Sequence, residues 1–141
     1  MRIDRHEMMM QMAEVIAQRG TCSRLYVGAV IARDGRPISS GYNGNVSGVK
    51  HCYHPFSEHL EVGCQDAMHA EANAIAFAAR YGVATEGAYI YTTHQPCFAC
   101  ARLIVNAGIS TVFYRLPYRK MEGVELLIEA GIEVYSLPRL K

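Results

Sequence analysis

From Asp4 to Arg19 the residues Met8, Met12, Val15, Ile16 and Arg19 fall three or four apart, the spacing of one helix face. Asp4 and Glu7 stand at capping-box spacing at its start, and Gly20 supplies a stop. The pattern then changes. Val27 to Ala32 is a continuous apolar run, Asp34-Gly35 is a turn, and Pro37 to Tyr42 follows, which together predict a β-hairpin. Gly41-Tyr42-Asn43-Gly44 closes the second strand with two glycines, predicting unusual dihedrals or close approach to a ligand. From Asn45 to Met68 periodicity is lost, and a loop of that length is expected to be functional or tied down. Beyond it, His69 to Tyr81 is an alanine-rich helix closed by Gly82, and Ala88 to Thr92 is a strand. Pro96 opens a helix running to Ala107 with Gly108 as its stop. Thr111 to Tyr114 is a strand, Glu122 to Ala130 a helix ended by Gly131, and Glu133 to Ser136 a last strand. Helix, hairpin, loop, then helix and strand three times over imply an α/β fold. An antiparallel hairpin joins parallel strands, and helices cover both faces. No repeat, low-complexity tract or second unit interrupts the pattern, so residues 1–141 are expected to form a single domain.

Composition narrows the partners. Half of the residues are hydrophobic, enough for a sizeable core, and 14 Lys and Arg against 13 Asp and Glu leave a net charge of +1. That balance speaks against a protein held on nucleic acid by its field, but allows a small anionic substrate that needs only one or two local cations. Arg2, Asp4, Arg5 and Glu7 interrupt the first apolar residues, so no signal peptide is expected, nor any membrane span, and the expected compartment is the cytoplasm. In that setting the five cysteines read as metal ligands or thiols before they read as disulfides. The methionines of the first helix read as a core or subunit contact.

Two short stretches carry chemistry. His69-Ala70-Glu71 is answered by Pro96-Cys97-Phe98-Ala99-Cys100. One imidazole and two thiolates can hold Zn²⁺ and leave its fourth position open to water. Cys97 and Cys100, three apart at a helix start, share a face beside unsatisfied N–H groups that favour thiolates. Two thiolates cancel the charge of the ion and leave a weaker Lewis acid than three histidines would, so a nearby base matters more. Glu71 is placed to be that base and is not expected to bind the metal. H-x-E followed by P-C-x-x-C is the signature of zinc-dependent nucleobase deaminases. A structural zinc site, or an alanine-rich packing helix with an incidental glutamate, is the alternative, and C-x-x-C alone would be weak.

The substrate is suggested by the rest of the chain. Cys22-Ser23-Arg24, Val27-Gly28-Ala29-Val30-Ile31, Asp34-Gly35-Arg36 and Ser40-Gly41-Tyr42-Asn43-Gly44 closely resemble the N-terminal half of deoxycytidylate (dCMP) deaminases of the short bacterial and phage type. His69-Ala70-Glu71-x-Asn73-Ala74-Ile75, Pro96-Cys97-x-x-Cys100-Ala101, Ala107-Gly108-Ile109 and Val112-x-Tyr114 continue the resemblance, which spans Arg19 to Tyr135. It implies a three-layer α/β/α sandwich around a five-stranded mixed sheet, hydrolysis of dCMP to dUMP and ammonia on the way to dTMP, and a homo-hexamer. It also implies activation by dCTP and inhibition by dTTP, with Mg²⁺ on the regulatory triphosphate. Carried over by position, Asn43 would contact the sugar, Ala70 and Tyr118 would lie at the substrate, and Arg24 would meet the phosphate, with Arg115 and Arg119 as alternatives. Gly44, Asn45, Phe77 and Arg80 would form the allosteric site. The bland alternative has Phe77 in the core and Arg80 at a helix end.

The same resemblance implies a second, structural zinc on Cys22, Cys52, His59 and Cys64, which would also tie down the long loop. Buried thiols and surface histidines are the alternative, and His6 and His94 read as ordinary residues. The competing functions are deamination of free cytidine or of an RNA base, and a zinc-stabilised scaffold without turnover. The intact Glu71 argues against the scaffold, and the absence of a basic, aromatic-interleaved stretch argues against the RNA base.

Overall fold

The computed structural model describes residues 1–22, 24–52 and 67–139. Its sheet has five strands in the order β2-β1-β3-β4-β5: β1 (Gly28–Arg33), β2 (Arg36–Tyr42), β3 (Tyr89–His94), β4 (Thr111–Leu116) and β5 (Glu133–Ser136). β1 runs antiparallel to both β2 and β3, whereas β3, β4 and β5 are mutually parallel. Asp34 and Gly35 both take positive φ (53° and 74°), the paired left-handed turn whose twist matches that of the flanking strands. Pro37 is tolerated because β2 is an edge strand.

Among the described residues four helices make the outer layers: α1 (Arg5–Ala17), α2 (Ala70–Arg80), α3 (Phe98–Asn106) and α4 (Glu122–Glu129). Strand alternation sends Ala29, Ile31, Ile90 and Val112 to one face, where they pack with Ala74 of α2, Ile104 of α3 and Leu127 of α4. Val30, Ala32, Tyr91 and Phe113 go to the other face, against Met9, Met10 and Ala13 of α1. The expected three-layer α/β/α sandwich on a mixed sheet is therefore present. No helix among the described residues is long and apolar enough to cross a membrane.

Two details differ from the expected pattern. α1 buries Met9, Met10, Ala13 and Ala17, while Val15 is exposed. The buried face is offset because it is built on alanines that let the helix lie close to the sheet. Asp4 does cap α1, accepting from the backbone N–H groups of His6 and Glu7. The reciprocal half of the capping box is missing, because the Glu7 carboxylate is drawn to Arg115 at 2.9 Å.

Of the two expectations for the glycines at the end of β2, the unusual dihedrals are not found. Gly41 and Gly44 lie outside the left-handed region. Gly41 is required because a Cβ there would run into the backbone of the first turn of α2 at Ala70 and Ala74. The long loop is closed at its ends by backbone: Gly44 N–H donates to the Met68 carbonyl at 3.1 Å, and Met68 N–H returns to Gly44 at 2.8 Å. This bridge delivers His69 to the end of the hairpin.

Candidate active site

Three residues from two helix starts converge. His69 is the N-cap of α2, Cys97 is the N-cap of α3, and Cys100 sits in the first turn of α3. β3 leads directly into α3, so the sheet places the Cys pair, while Gly41 and the Gly44–Met68 bridge place the histidine. Asn73, two residues beyond Glu71, ties α2 to the same strand end by donating Nδ2–H to the Tyr42 carbonyl at 2.9 Å.

His69 Nδ1 stands 3.4 Å from Cys97 Sγ and 3.3 Å from Cys100 Sγ. A tetrahedral zinc with bonds of about 2.3 Å to sulfur and 2.0–2.1 Å to nitrogen would separate such ligands by about 3.5 Å. All three ligand atoms lie within 4.8 Å of one another. The donor set and its spacing fit zinc. His69 is exposed, Cys97 half-buried and Cys100 buried, so the group is open on the histidine side.

Charge is distributed unevenly over the cluster. The Cys97 thiol is held down to about 4, first by its hydrogen bond with Cys100 and then by His69 and the backbone N–H of Cys100. Cys100 is pushed up by Cys97, by burial and by the Glu71 charge. His69 is raised, chiefly by Cys97. Glu71 is buried, with 4% of its surface exposed, and burial pushes its carboxyl up to about 7. A carboxyl poised there can both take and give a proton at neutral pH.

Residues 3–116 match the family model of the cytidine and deoxycytidylate deaminase zinc-binding region. The chain belongs to the cytidine and deoxycytidylate deaminase family. Across 94% of its length this deaminase is 42% identical to ComE operon protein 2 of Bacillus subtilis, covering 71% of that protein. It is 33% identical to the deoxycytidylate deaminase of Enterobacteria phage T2, over 93% of this chain and 91% of the phage enzyme. Among solved structures it resembles the dCMP deaminase of cyanophage S-TIM5, determined in complex with dCMP and dUMP. There the TM-score is 0.85 at 33% identity, with 97% of this chain and 99% of the other covered.

The other residues singled out in the deaminase sequence are placed as follows. Ala70 is buried in the first turn of α2. Arg24 is half-buried, and its charge acts on His69, where it opposes the rise in pKa. Asn43 is buried, and its amide already binds backbone: Oδ1 accepts from Val27 N–H at 2.7 Å and Nδ2 donates to the Leu25 carbonyl at 2.5 Å. It thus braces the segment that follows Arg24. Tyr118 and Arg119 are exposed. Arg115, one of the two alternative phosphate ligands, is otherwise engaged. It is buried, 4% exposed, and bonds Glu7 and Glu14 of α1 at 2.9 Å each. α1 covers the sheet face opposite α2 and α3, so this guanidinium is spent on tying α1 to the sheet.

Gly44, Asn45 and Phe77 line one cleft of about 620 Å³, together with Arg19, His51 and Tyr81. Arg80 is not in that lining. It is exposed, with its guanidinium over the Tyr81 ring at 5.7 Å. Cys22 is buried and Cys52 half-buried. His59 and Cys64, the other two expected ligands of a structural zinc, lie outside the described residues.

One residue that pattern reasoning passes over is Gln95. It is buried, at 5% exposure, immediately before Pro96-Cys97. The only signal in the sequence is a polar residue between a buried strand and a metal-ligand turn.

Proposed function

We propose that the chain hydrolyses dCMP to dUMP and ammonia, using zinc on His69, Cys97 and Cys100. The observation that carries this is the buried Glu71 beside three ligand atoms that all lie within 4.8 Å of one another. Similarity over nearly the full length to a cyanophage enzyme determined with dCMP and dUMP supports the choice of nucleotide.

Bound there, zinc would supply an acidified water at its open position. Glu71 accepts a proton from the attacking water and delivers it to ring N3. The water oxygen bonds to C4. Glu71 then passes the second proton to the amino group, and the C4–N bond breaks to release ammonia. His69 and the two cysteines hold the ligand geometry, and the close contact of α2 with Gly41 keeps Glu71 in register with them. Arg24, whose charge reaches His69, is the favoured partner for the phosphate. Asn43 braces Arg24's segment and turns its remaining hydrogen-bonding capacity to the sugar, while Ala70 and Tyr118 border the base and sugar.

The same reading extends to regulation. The cleft lined by Gly44, Asn45 and Phe77 would take dCTP as activator or dTTP as inhibitor, with Mg²⁺ on the triphosphate and Arg80 at its edge. Phe77 and Glu71 lie on one helix, so occupancy of the cleft can be felt at the catalytic end. A homo-hexamer, a second zinc on Cys22, Cys52, His59 and Cys64, and a cytoplasmic role in supplying the dTMP precursor complete the proposal.

The test is ammonia release from dCMP, deoxycytidine, CMP and a tRNA anticodon loop, each with and without dCTP and dTTP. Turnover of dCMP at least about a hundredfold more efficient than that of deoxycytidine is expected. Preference for deoxycytidine or for the RNA would overturn the choice of substrate.

A further inference from the structure

The geometry points to Gln95 as a positioning residue: its buried carboxamide fixes the 117–121 loop beside the ligand turn and so sets the affinity for the nucleotide. This rests on the reading of the chain as a dCMP deaminase.

Leu116 ends β4, and α4 begins at Glu122. Among the described residues the chain between them has no strand to pair with. Gln95 takes the place of one. Its backbone N–H donates to the Leu116 carbonyl at 2.8 Å, one step beyond the last ladder pair, His94 and Leu116. Its side chain then bonds both ends of the loop. Oε1 accepts from Tyr118 N–H at 3.1 Å, and Nε2 donates to the Lys120 carbonyl at 3.0 Å, with Met121 Sδ at 3.7 Å. A buried group that must accept at one end and donate at the other is a task for a carboxamide.

The far end of the loop is locked to the same turn. A Cβ on Gly123 would meet the Cys97 carbonyl carbon and oxygen at 2.9 Å, so α4 starts in direct contact with the metal-ligand turn. The loop therefore crosses the edge of the site with Tyr118, Arg119 and Lys120 exposed on it. In the proposed reading the nucleotide meets this loop at Tyr118, whose backbone N–H Gln95 holds, so Gln95 is what fixes this segment. Loss of the carboxamide leaves the Tyr118 N–H and the Lys120 carbonyl without their partner and frees the loop. The ligands themselves are untouched.

The experiment compares wild type with Gln95→Met, which keeps the shape and removes both bonds, and with Gln95→Glu, which can accept from Tyr118 but cannot donate to Lys120. Zinc per chain, amide hydrogen exchange at Tyr118, and kcat and KM for dCMP are measured on the zinc-loaded protein. In Gln95→Met the Tyr118 amide is expected to exchange at least about tenfold faster, with core amides such as those of Ile104 and Val112 unchanged. KM should rise at least about fivefold while kcat stays within about threefold, and zinc content should be that of wild type. Gln95→Glu should fall between the two in exchange at Tyr118, and supplies the same test if the methionine variant does not fold. Wild-type exchange at Tyr118, an unchanged KM, or a loss of zinc would overturn the proposal, the last by putting Gln95's effect on the ligand turn and not on the loop. Failure of the wild type to deaminate dCMP would defeat the underlying reading, and the exchange rates would still decide whether Gln95 holds the loop.

Discussion

Gly41 and Ala74 stand back to back: a Cβ on Gly41 would lie 2.5 Å from the Ala74 backbone nitrogen. This contact sets the height of α2 above the sheet, and with it the positions of His69 and Glu71. Gly41→Ala is expected to push α2 outward, at a cost of about 1–3 kcal/mol, typical of overpacking. Because His69 moves with the helix while Cys97 and Cys100 stay with β3, zinc should bind more weakly as well. Thermal melting and zinc competition against a chromophoric chelator check both. A variant with wild-type zinc affinity would show that the hairpin does not position the histidine.

Glu71 is the one buried carboxylate beside the ligands among the described residues. Glu71→Gln keeps its shape and removes its ability to carry protons. Turnover should fall by about 10³–10⁴-fold, the upper part of the range for a positioned acid–base group. Zinc content and melting temperature should hold, since the ligand set is intact. Near-normal turnover would sink the proton-shuttle role.

Much of this site is legible in the sequence because its chemistry depends on residue type and short spacing. His69, Glu71, Cys97 and Cys100 are named by two motifs, and the glycine stops bound the helices that present them. What is not legible depends on contacts distant in the chain. α1 uses Ala13 and Ala17 where larger apolar residues suggested another face, because a small side chain leaves no mark in a hydrophobic pattern. Gly41 marks a close approach of α2, not an unusual dihedral. Arg115 lies on a strand leading towards the site, yet alternation turns it to the α1 face, where the partners are Glu7 and Glu14. Gln95 has no motif, and its role appears only once its carboxamide is seen to hold the 117–121 loop at Tyr118 and Lys120.

Arg115 and Glu7 give a pH dependence that does not involve the site. The guanidinium beside Glu7 holds its carboxyl below the usual 4.5. The stabilisation from this pair is therefore fully present above the unfolded value, near 4.5, and is lost as pH falls through the lower folded value. The urea midpoint should drop as pH falls from about 5 through the lowered folded value, and Glu7→Gln should flatten that drop. Arg115→Met should destabilise by about 2–3 kcal/mol, less than the ~3–5 kcal/mol of a fully buried pair, because both glutamates retain contact with solvent. An unchanged profile in Glu7→Gln would assign the acid sensitivity elsewhere.

Metal content separates the two proposed zinc sites. The proposed catalytic ligands are His69, Cys97 and Cys100, and the proposed structural set is Cys22, Cys52, His59 and Cys64. Fully loaded protein should carry two zinc ions per chain by elemental analysis. Cys52→Ser should lower that to one and destabilise the region around the long loop, while Cys97→Ser should lower it to one and abolish turnover. Cys52 is not one of the proposed catalytic ligands, so residual turnover in Cys52→Ser should track the fraction still folded. The Gly44–Met68 bridge closes the loop at its ends by backbone hydrogen bonds, so the hairpin and α2 should keep their contact in Cys52→Ser, seen as unchanged amide protection at Met68. One zinc per chain in fully loaded wild type would remove the structural site and leave Cys22 and Cys52 as ordinary thiols.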